Sequence, residues 1–208
     1  MTLIDISPIV DDRITVWPGD TAYARTINSR LADGASVNLS DIRTTVHVGA
    51  HADAPSHYSA SGEDIAARRL EYYVGACNVI HVADALGRRL VPSDLANKPI
   101  TAARVLFRTG TFPDPRAWND DFASLSPELV DWLHERSVIL VGIDTPSVDP
   151  FDSKELEAHQ MLAAHDMANL EGLVLDDVAE GEYELIALPL RLAGADGSPV
   201  RAVLRTLP

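Results

Sequence analysis

Cysteine is nearly absent: Cys77 stands alone among 208 residues. No intrachain disulfide framework can form, and a cysteine-based zinc cluster is excluded. Cations are scarce too, with 17 Lys and Arg against 31 Asp and Glu, for a formal charge of −14. Nucleic acid demands a basic footprint that displaces phosphate counterions, and an anionic membrane surface demands basic residues as well, so neither is an expected partner. No apolar run approaches the ~18 residues of a membrane span. The longest candidate, Val138 to Ile143, is strand-sized. The opening MTLIDISPIVDDR lacks the basic and apolar pattern of a secretory leader, and a cytoplasmic location is expected. Internal repeats, low-complexity tracts, a G-x-S-x-G serine elbow and a glycine-rich phosphate loop are also missing.

What is present is an ordinary globular mixture, 46% hydrophobic and 23% charged. At this length it suffices for one substantial core, and residues 1–208 are read as a single domain. Short segments rich in β-branched residues predict strands at Leu3–Ser7, Ala24–Ser29, Leu39–Val48, Cys77–Val82, Arg104–Thr109, Val138–Ile143, Glu184–Leu190 and Val200–Thr206. Ser126-Pro127-Glu128 supplies an N-cap serine, a first-turn proline and an acid, which predicts a helix with Leu129, Trp132 and Leu133 on one face. A second helix is predicted over about Lys154–His165, and a short one at Ser93-Asp94-Leu95. Strands outnumber helices without strict alternation, so the expected class is α/β with a mixed β-sheet core.

Four chemically active side chains crowd into Val46–His57: His47, His51, Asp53 and His57. Thr44, Thr45 and Val46 favour extended backbone, in which side chains two apart share a face. All four have the same parity. In a straight strand His47 and His51 would lie ~13 Å apart, so convergence on one ion requires a bend, which Gly49 and Pro55 permit. Two imidazoles and a carboxylate on one face suit a first-row metal, best zinc. His47-x-x-x-His51 has the outer spacing of H-E-x-x-H, but Val48 occupies the glutamate position and a helix there is disfavoured. A lone loop histidine is usually just solvated; three with an aspartate of matching parity are not.

Further histidines carry less. His81 falls in a predicted strand as a hydrogen-bonded core residue, and His134 suits the negative end of its helix. A continuous helix would separate His159 from Glu171 by ~18 Å. Asn169 and Gly172 mark a break before the glutamate, and spacing leaves open whether the two are ligands or a surface pair. Taken alone, Trp17 reads as a core tryptophan beside a Pro-Gly turn.

The run His47-x-Gly49-Ala50-His51-x-Asp53-Ala54-Pro55-x-His57 resembles the H-x-G-T-H-x-D-x-P-x-H signature of the cyclase-like metal-dependent hydrolases. Trp17-Pro18-Gly19-Asp20, Gly142-Ile143-Asp144-Thr145-Pro146-Ser147, His159 with Glu171-Gly172-Leu173, Ala187-Leu188-Pro189-Leu190 and Gly197-Ser198-Pro199-Val200-Arg201-Ala202 resemble its other conserved segments. Ala50 departs from the usual threonine, removing a hydroxyl beside a presumed ligand. The resemblance implies a swivelling β/β/α domain, usually a homodimer, holding two zinc ions. His47, His51 and Asp53 would hold the first, Asp53 would bridge to the second, and His159 and Glu171 would complete it. His57 would give and take the proton, and Trp17 would line the substrate pocket. Within the family the match is nearest to the bacterial formamidases, implying hydrolysis of N-formyl-L-kynurenine to L-kynurenine and formate, with a small aromatic formamide as the only partner besides a second copy. Two alternatives stand beside it: an amide or lactam hydrolase acting on an isatin-like ring, and a non-catalytic zinc-stabilised domain. The lack of cysteine ligands counts against the latter. Whether Ser147, Glu63 or Tyr58 meets substrate stays open.

Overall fold

The computed structural model describes residues 1–207. Its strands, in chain order, are β1 (Leu3–Asp5), β2 (Ala24–Ser29), β3 (Leu39–Arg43), β4 (His51–Asp53), β5 (Val74–His81), β6 (Arg89–Leu90), β7 (Arg104–Arg108), β8 (Ser124–Leu125), β9 (Leu140–Ile143), β10 (Ala168–Glu171), β11 (Gly181–Ile186), β12 (Gly197–Pro199) and β13 (Val203–Thr206). The α-helices among the described residues are α1 (Pro127–His134) and α2 (Glu157–Ala164). The class is therefore mixed α/β with strands in excess. None of the described helices is long and apolar enough to cross a membrane.

Nine strands form one sheet in the order β1-β13-β11-β5-β7-β9-β10-β4-β12. Its centre, β5-β7-β9-β10, is parallel, and antiparallel strands flank it on both sides. Parallel strands are covered on both faces, which explains the continuous apolar runs in β7 and β9. Leu106 and Leu140 face one core with Leu170, Leu185 and Leu204. Val105, Phe107, Val141 and Ile143 face the other, beneath α1 and α2. Burying a leucine or isoleucine in such a core is worth roughly 1.5–3 kcal/mol.

Helix α1 starts where its cap predicts: Ser126 Oγ accepts from Leu129 N at 3.1 Å, and Leu129, Val130 and Leu133 are buried. Helix α2 begins three residues later than its sequence suggests, because Leu156 sits in the left-handed region at φ 49°. Ser93-Asp94-Leu95 belongs to a 3-10 turn at Pro92–Leu95, closed by Asp94 accepting from Val91 N at 2.8 Å.

Two strand readings differ more. Strand β11 begins three residues before Glu184 and ends at Ile186, short of Leu190. The segment starting at Leu39 leaves extended structure after Arg43, well short of Val48. With β2 it forms a separate hairpin outside the main sheet, exposed along nearly its whole length. Between Thr44 and Ala50 the chain turns, with Gly49 at φ 62°. Regular extension resumes only for β4, and His57 closes a 3-10 turn opened by Pro55. The shared parity of the four residues is thus not that of one strand. They converge because the chain bends at Gly49 and Pro55.

Candidate active site

Carboxyl ends of parallel strands face outward at one edge of a sheet, where ligands of open α/β sheets bind. Glu171 ends β10, and its antiparallel neighbour β4 supplies His51 directly opposite it. Gly172, at φ 65°, follows; a Cβ there would come within 2.3 Å of the Gly49 carbonyl oxygen. Only glycine lets the bend before β4 approach the end of β10 this closely. His159 lies in the first turn of α2, reached from β9 through Asp144–Asp149.

Asp53 is the centre of the group. Its Oδ1 lies 2.9 Å from His47 Nδ1 and 3.5 Å from His51 Nε2. Its Oδ2 lies 3.2 Å from His159 Nε2. Glu171 lies 3.3 Å from both His51 Nε2 and His159 Nε2, through different oxygens. Two sets therefore share Asp53: His47, His51 and Asp53, and Asp53, His159 and Glu171, each with ligand atoms within 4.8 Å of one another. Asn169 turns its buried amide toward both carboxylates, donating to Asp53 Oδ2 at 2.6 Å and to Glu171 Oε1 at 3.1 Å.

Each histidine is held by its outer nitrogen. His51 Nδ1 is 2.9 Å from the Gly49 carbonyl, His159 Nδ1 is 2.9 Å from Asp149 Oδ2, and His47 Nε2 is 3.0 Å from Asp196 Oδ2. The inner nitrogen of every ring thus faces Asp53 or Glu171. This is how metal-ligating histidines are oriented, with a carboxylate or backbone carbonyl fixing the tautomer. The donor set of nitrogens and oxygens, without sulfur, suits a divalent first-row ion.

The charges are strongly coupled. Burial alone would raise the Asp53 carboxyl, but hydrogen bonds from His159 and His47 and the charge of His51 hold it well below the usual range. Burial and the charge of Asp53 both push Glu171 up, yet His159 and His51 bring it below its ordinary value. Burial depresses His47, and its contacts with Asp53 and Asp196 more than reverse that, raising it to about 9. His159 is likewise raised, against burial, by Asp149, Asp53 and Glu171. Protonated histidines thus balance the buried carboxylates in the metal-free protein, as buried charge requires.

Above this group opens a cavity of about 340 Å³, lined by His47, His51, His57, His159 and Glu171 at its base. Trp17, Trp118 and Phe112 form an aromatic wall. The Trp17 ring packs edge-on against Trp118 at 5.4 Å and tilted against Phe151 at 5.1 Å. Trp17 therefore borders the cavity and is not sealed in the core.

His57 sits beside His47, ring centroids 4.2 Å apart, with Nδ1 3.2 Å from Asp196 Oδ2. All six residues singled out at the centre, His47, His51, Asp53, His57, His159 and Glu171, come together, with Trp17 at the wall. Ser147 also lines the cavity, while Tyr58 packs its ring on His159 at 5.1 Å. Glu63 instead pairs with Arg68 at 3.0 Å. His81 bonds the Val178 carbonyl at 2.9 Å but is only half-buried, at the edge of the core and not within it.

Asp149, Asn169 and Asp196 escaped sequence reasoning. Asp149 caps α2, accepting from Ala158 N at 3.0 Å and His159 N at 3.1 Å, as well as holding the His159 ring. Asp149 lies too far ahead of α2, whose N-cap is Leu156, for the sequence to offer a signal for it. For Asp196, the turn Gly194–Gly197 offered none.

The "Cyclase" family model matches residues 4–150. Kynurenine formamidase of Bordetella petrii is 49% identical over 206 residues, covering 99% of this chain and 98% of the relative. That of Bordetella pertussis is 48% identical with the same coverage. Among solved structures, a "potential metal-dependent hydrolase with cyclase activity" superposes with a TM-score of 0.85 at 26% identity, covering 100% of this chain and 99% of that one. Isatin hydrolase A from Labrenzia aggregata shares the fold, with a TM-score of 0.79 at 22% identity over 98% of this chain and 93% of its own.

Proposed function

The chain belongs to the cyclase family, and from that membership we propose that it hydrolyses N-formyl-L-kynurenine to L-kynurenine and formate. The observation that carries this reading is the pair of imidazole–carboxylate sets sharing Asp53 at the base of an aromatic-walled cavity. The relatives at 48–49% identity, matched end to end, select the formamide among the substrates such a site would take.

We assign two zinc ions to the site. His47, His51 and Asp53 would hold the first; His159 and Glu171, with Asp53 as the bridge, would hold the second. When bound, such metals lower the pKa of water, from 15.7 toward ~7, and polarise a carbonyl oxygen. The remaining work falls to the chain. The aromatic wall of Trp17, with Trp118 and Phe112 beside it, receives the flat aryl ring. His57 accepts a proton from the attacking water as the C–O bond forms at the formyl carbon. It then returns that proton to the aryl nitrogen as the C–N bond breaks. An aryl amide anion leaves poorly, so the second transfer is as necessary as the first. Formate keeps the water oxygen, the amine keeps one of the water's protons, and the other is released as the formic acid ionises.

A single domain over residues 1–208 is supported by the pairing of β1 with β13 at opposite ends of the chain. We further propose a cytoplasmic homodimer, in which the pairing of copies is supported by the β2–β3 hairpin, whose Ile27, Leu39 and Ile42 are left exposed. Sedimentation of native protein and Ile42→Asp checks the dimer: the native chain should run as two copies and the variant should dissociate.

The reaction is tested with metal-replete native enzyme and His57→Ala. The variant should keep its metal and lose about 10²–10⁴-fold in kcat. Native-level turnover by His57→Ala would remove that residue from its role. Inertness of the metallated native enzyme toward the formamide, with turnover of isatin, would move the substrate to the lactam class.

A further inference from the structure

One carboxylate oxygen serves both the candidate metal ligand and the candidate proton carrier. Asp196 Oδ2 lies 3.0 Å from His47 Nε2 and 3.2 Å from His57 Nδ1. We propose that Asp196 is the positioning residue of formamide hydrolysis, fixing the tautomers of His47 and His57 together.

The surroundings are built for this contact. The Asp196 carbonyl accepts from Ala54 N at 2.9 Å, and the preceding Ala195 carbonyl accepts from Ile65 N at 3.0 Å, so the backbone of the turn is pinned at adjacent residues. Gly197 then opens β12 directly opposite Asp53 in β4. A Cβ at Gly197 would stand 2.8 Å from His47 Cε1. Glycine therefore makes the space in which the His47 ring reaches Asp196.

The chemical consequence follows from the inventory of a neutral imidazole, which carries one N–H and one bare nitrogen. A carboxylate only accepts. With metal bound, His47 must give its Nε2–H to Asp196 and keep Nδ1 bare toward Asp53. His57 must give its Nδ1–H to the same oxygen, which leaves Nε2 bare as the nitrogen that exchanges protons in the cavity. Without Asp196, His57 is free to take the opposite tautomer and to rotate. Its proton-transfer nitrogen is then correct only part of the time. A substrate held by the aromatic wall would still bind, so the loss should appear in kcat and not in KM.

The proposal rests on the formamide reading for its reaction, and its test separates the two. Asp196→Asn and Asp196→Ala are prepared fully loaded with zinc. The tautomer of His57 is read by ¹⁵N NMR, zinc retention by competition with a chelator, and kcat and KM by formamide turnover. In native enzyme His57 should be the Nδ1–H tautomer, and in both variants a mixture. Zinc affinity should fall about 10–100-fold, as when other carboxylates behind metal-bound histidines are removed. At saturating zinc, kcat should drop at least ~10-fold with KM held within ~2-fold. In the His57→Ala background, Asp196→Asn should cost less than ~3-fold further, since residues acting as a unit are not additive. An unchanged His57 tautomer in both variants overturns the proposal, as does a full, additive loss in the double variant. The tautomer and chelator measurements need no substrate. Failure of native enzyme to cleave the formamide would therefore strike the substrate assignment while these still decide the role of Asp196.

Discussion

The two halves of the candidate metal centre share Asp53 but are built differently. The inner half, His159, Glu171 and Asp149, has side chains 0–4% exposed, each polar atom facing another. On the outer half His51 is equally buried, at 4%, but the His47 side chain is 14% exposed, and the residues behind it, His57 and Asp196, are 35% and 51% exposed. A buried charge that loses its partner is stranded, whereas an exposed one is resolvated. The inner half is therefore suited to retain an ion. The outer half, opening on the cavity, is suited to meet substrate and move protons.

Removing the shared group should do most. Asp53→Ala is expected to abolish zinc binding in both halves, with metal content falling below one ion per chain and turnover at background; elemental analysis beside an activity assay reads this. Retention of one tightly held ion would show that the inner half stands without the bridge.

Stability of the metal-free protein should separate the halves next. His159→Ala strands Asp149, Asp53 and Glu171 and should cost about 3–5 kcal/mol in denaturant unfolding. His57→Ala, at the exposed rim, should stay within about 0.5 kcal/mol. Equal losses would contradict the contrast.

A pH series follows from the same charges. In the metal-free protein His47 titrates at about 9, above its ordinary 6.5. Its contribution is then fully present below pH 6.5 and is lost as pH rises through about 9. The melting temperature of metal-free protein should accordingly fall between pH 7 and 10, and His47→Ala should blunt that fall. Zinc binding near pH 7.5 should release protons, because His47 and His159 must surrender theirs; calorimetry in buffers of different ionisation enthalpy measures it. The smallest effect belongs to the wall. Trp17→Ala should raise KM about 2–10-fold, corresponding to the 0.5–1.5 kcal/mol of an aromatic pair, with kcat little changed.

The contrast between the halves also explains what could be read from the chain beforehand. The outer histidines and Asp53 come from one short run, His47 to His57, whose glycine and proline announce the bend. Ser126 announced α1 for a comparable reason: a cap acts on its own neighbours. The inner half is assembled from segments far apart, β4, β10 and the start of α2. Its strand β10 hides from pattern analysis because Asn169 and Glu171 interrupt the apolar run, although both are buried. They are tolerated there because the site satisfies them. Asp149 and Asp196 were invisible for another reason. Among 31 acids, nothing local marks the two that orient histidines, and only the fold brings Asp196 within reach of residues 139 and 149 positions away.

The most direct measurement strips the protein with a chelator and returns zinc in steps while following N-formyl-L-kynurenine. The expected result is no turnover without metal and recovery that saturates near about two equivalents per chain. Formamide hydrolysis at the native rate by fully metal-free protein would contradict the assignment at its centre.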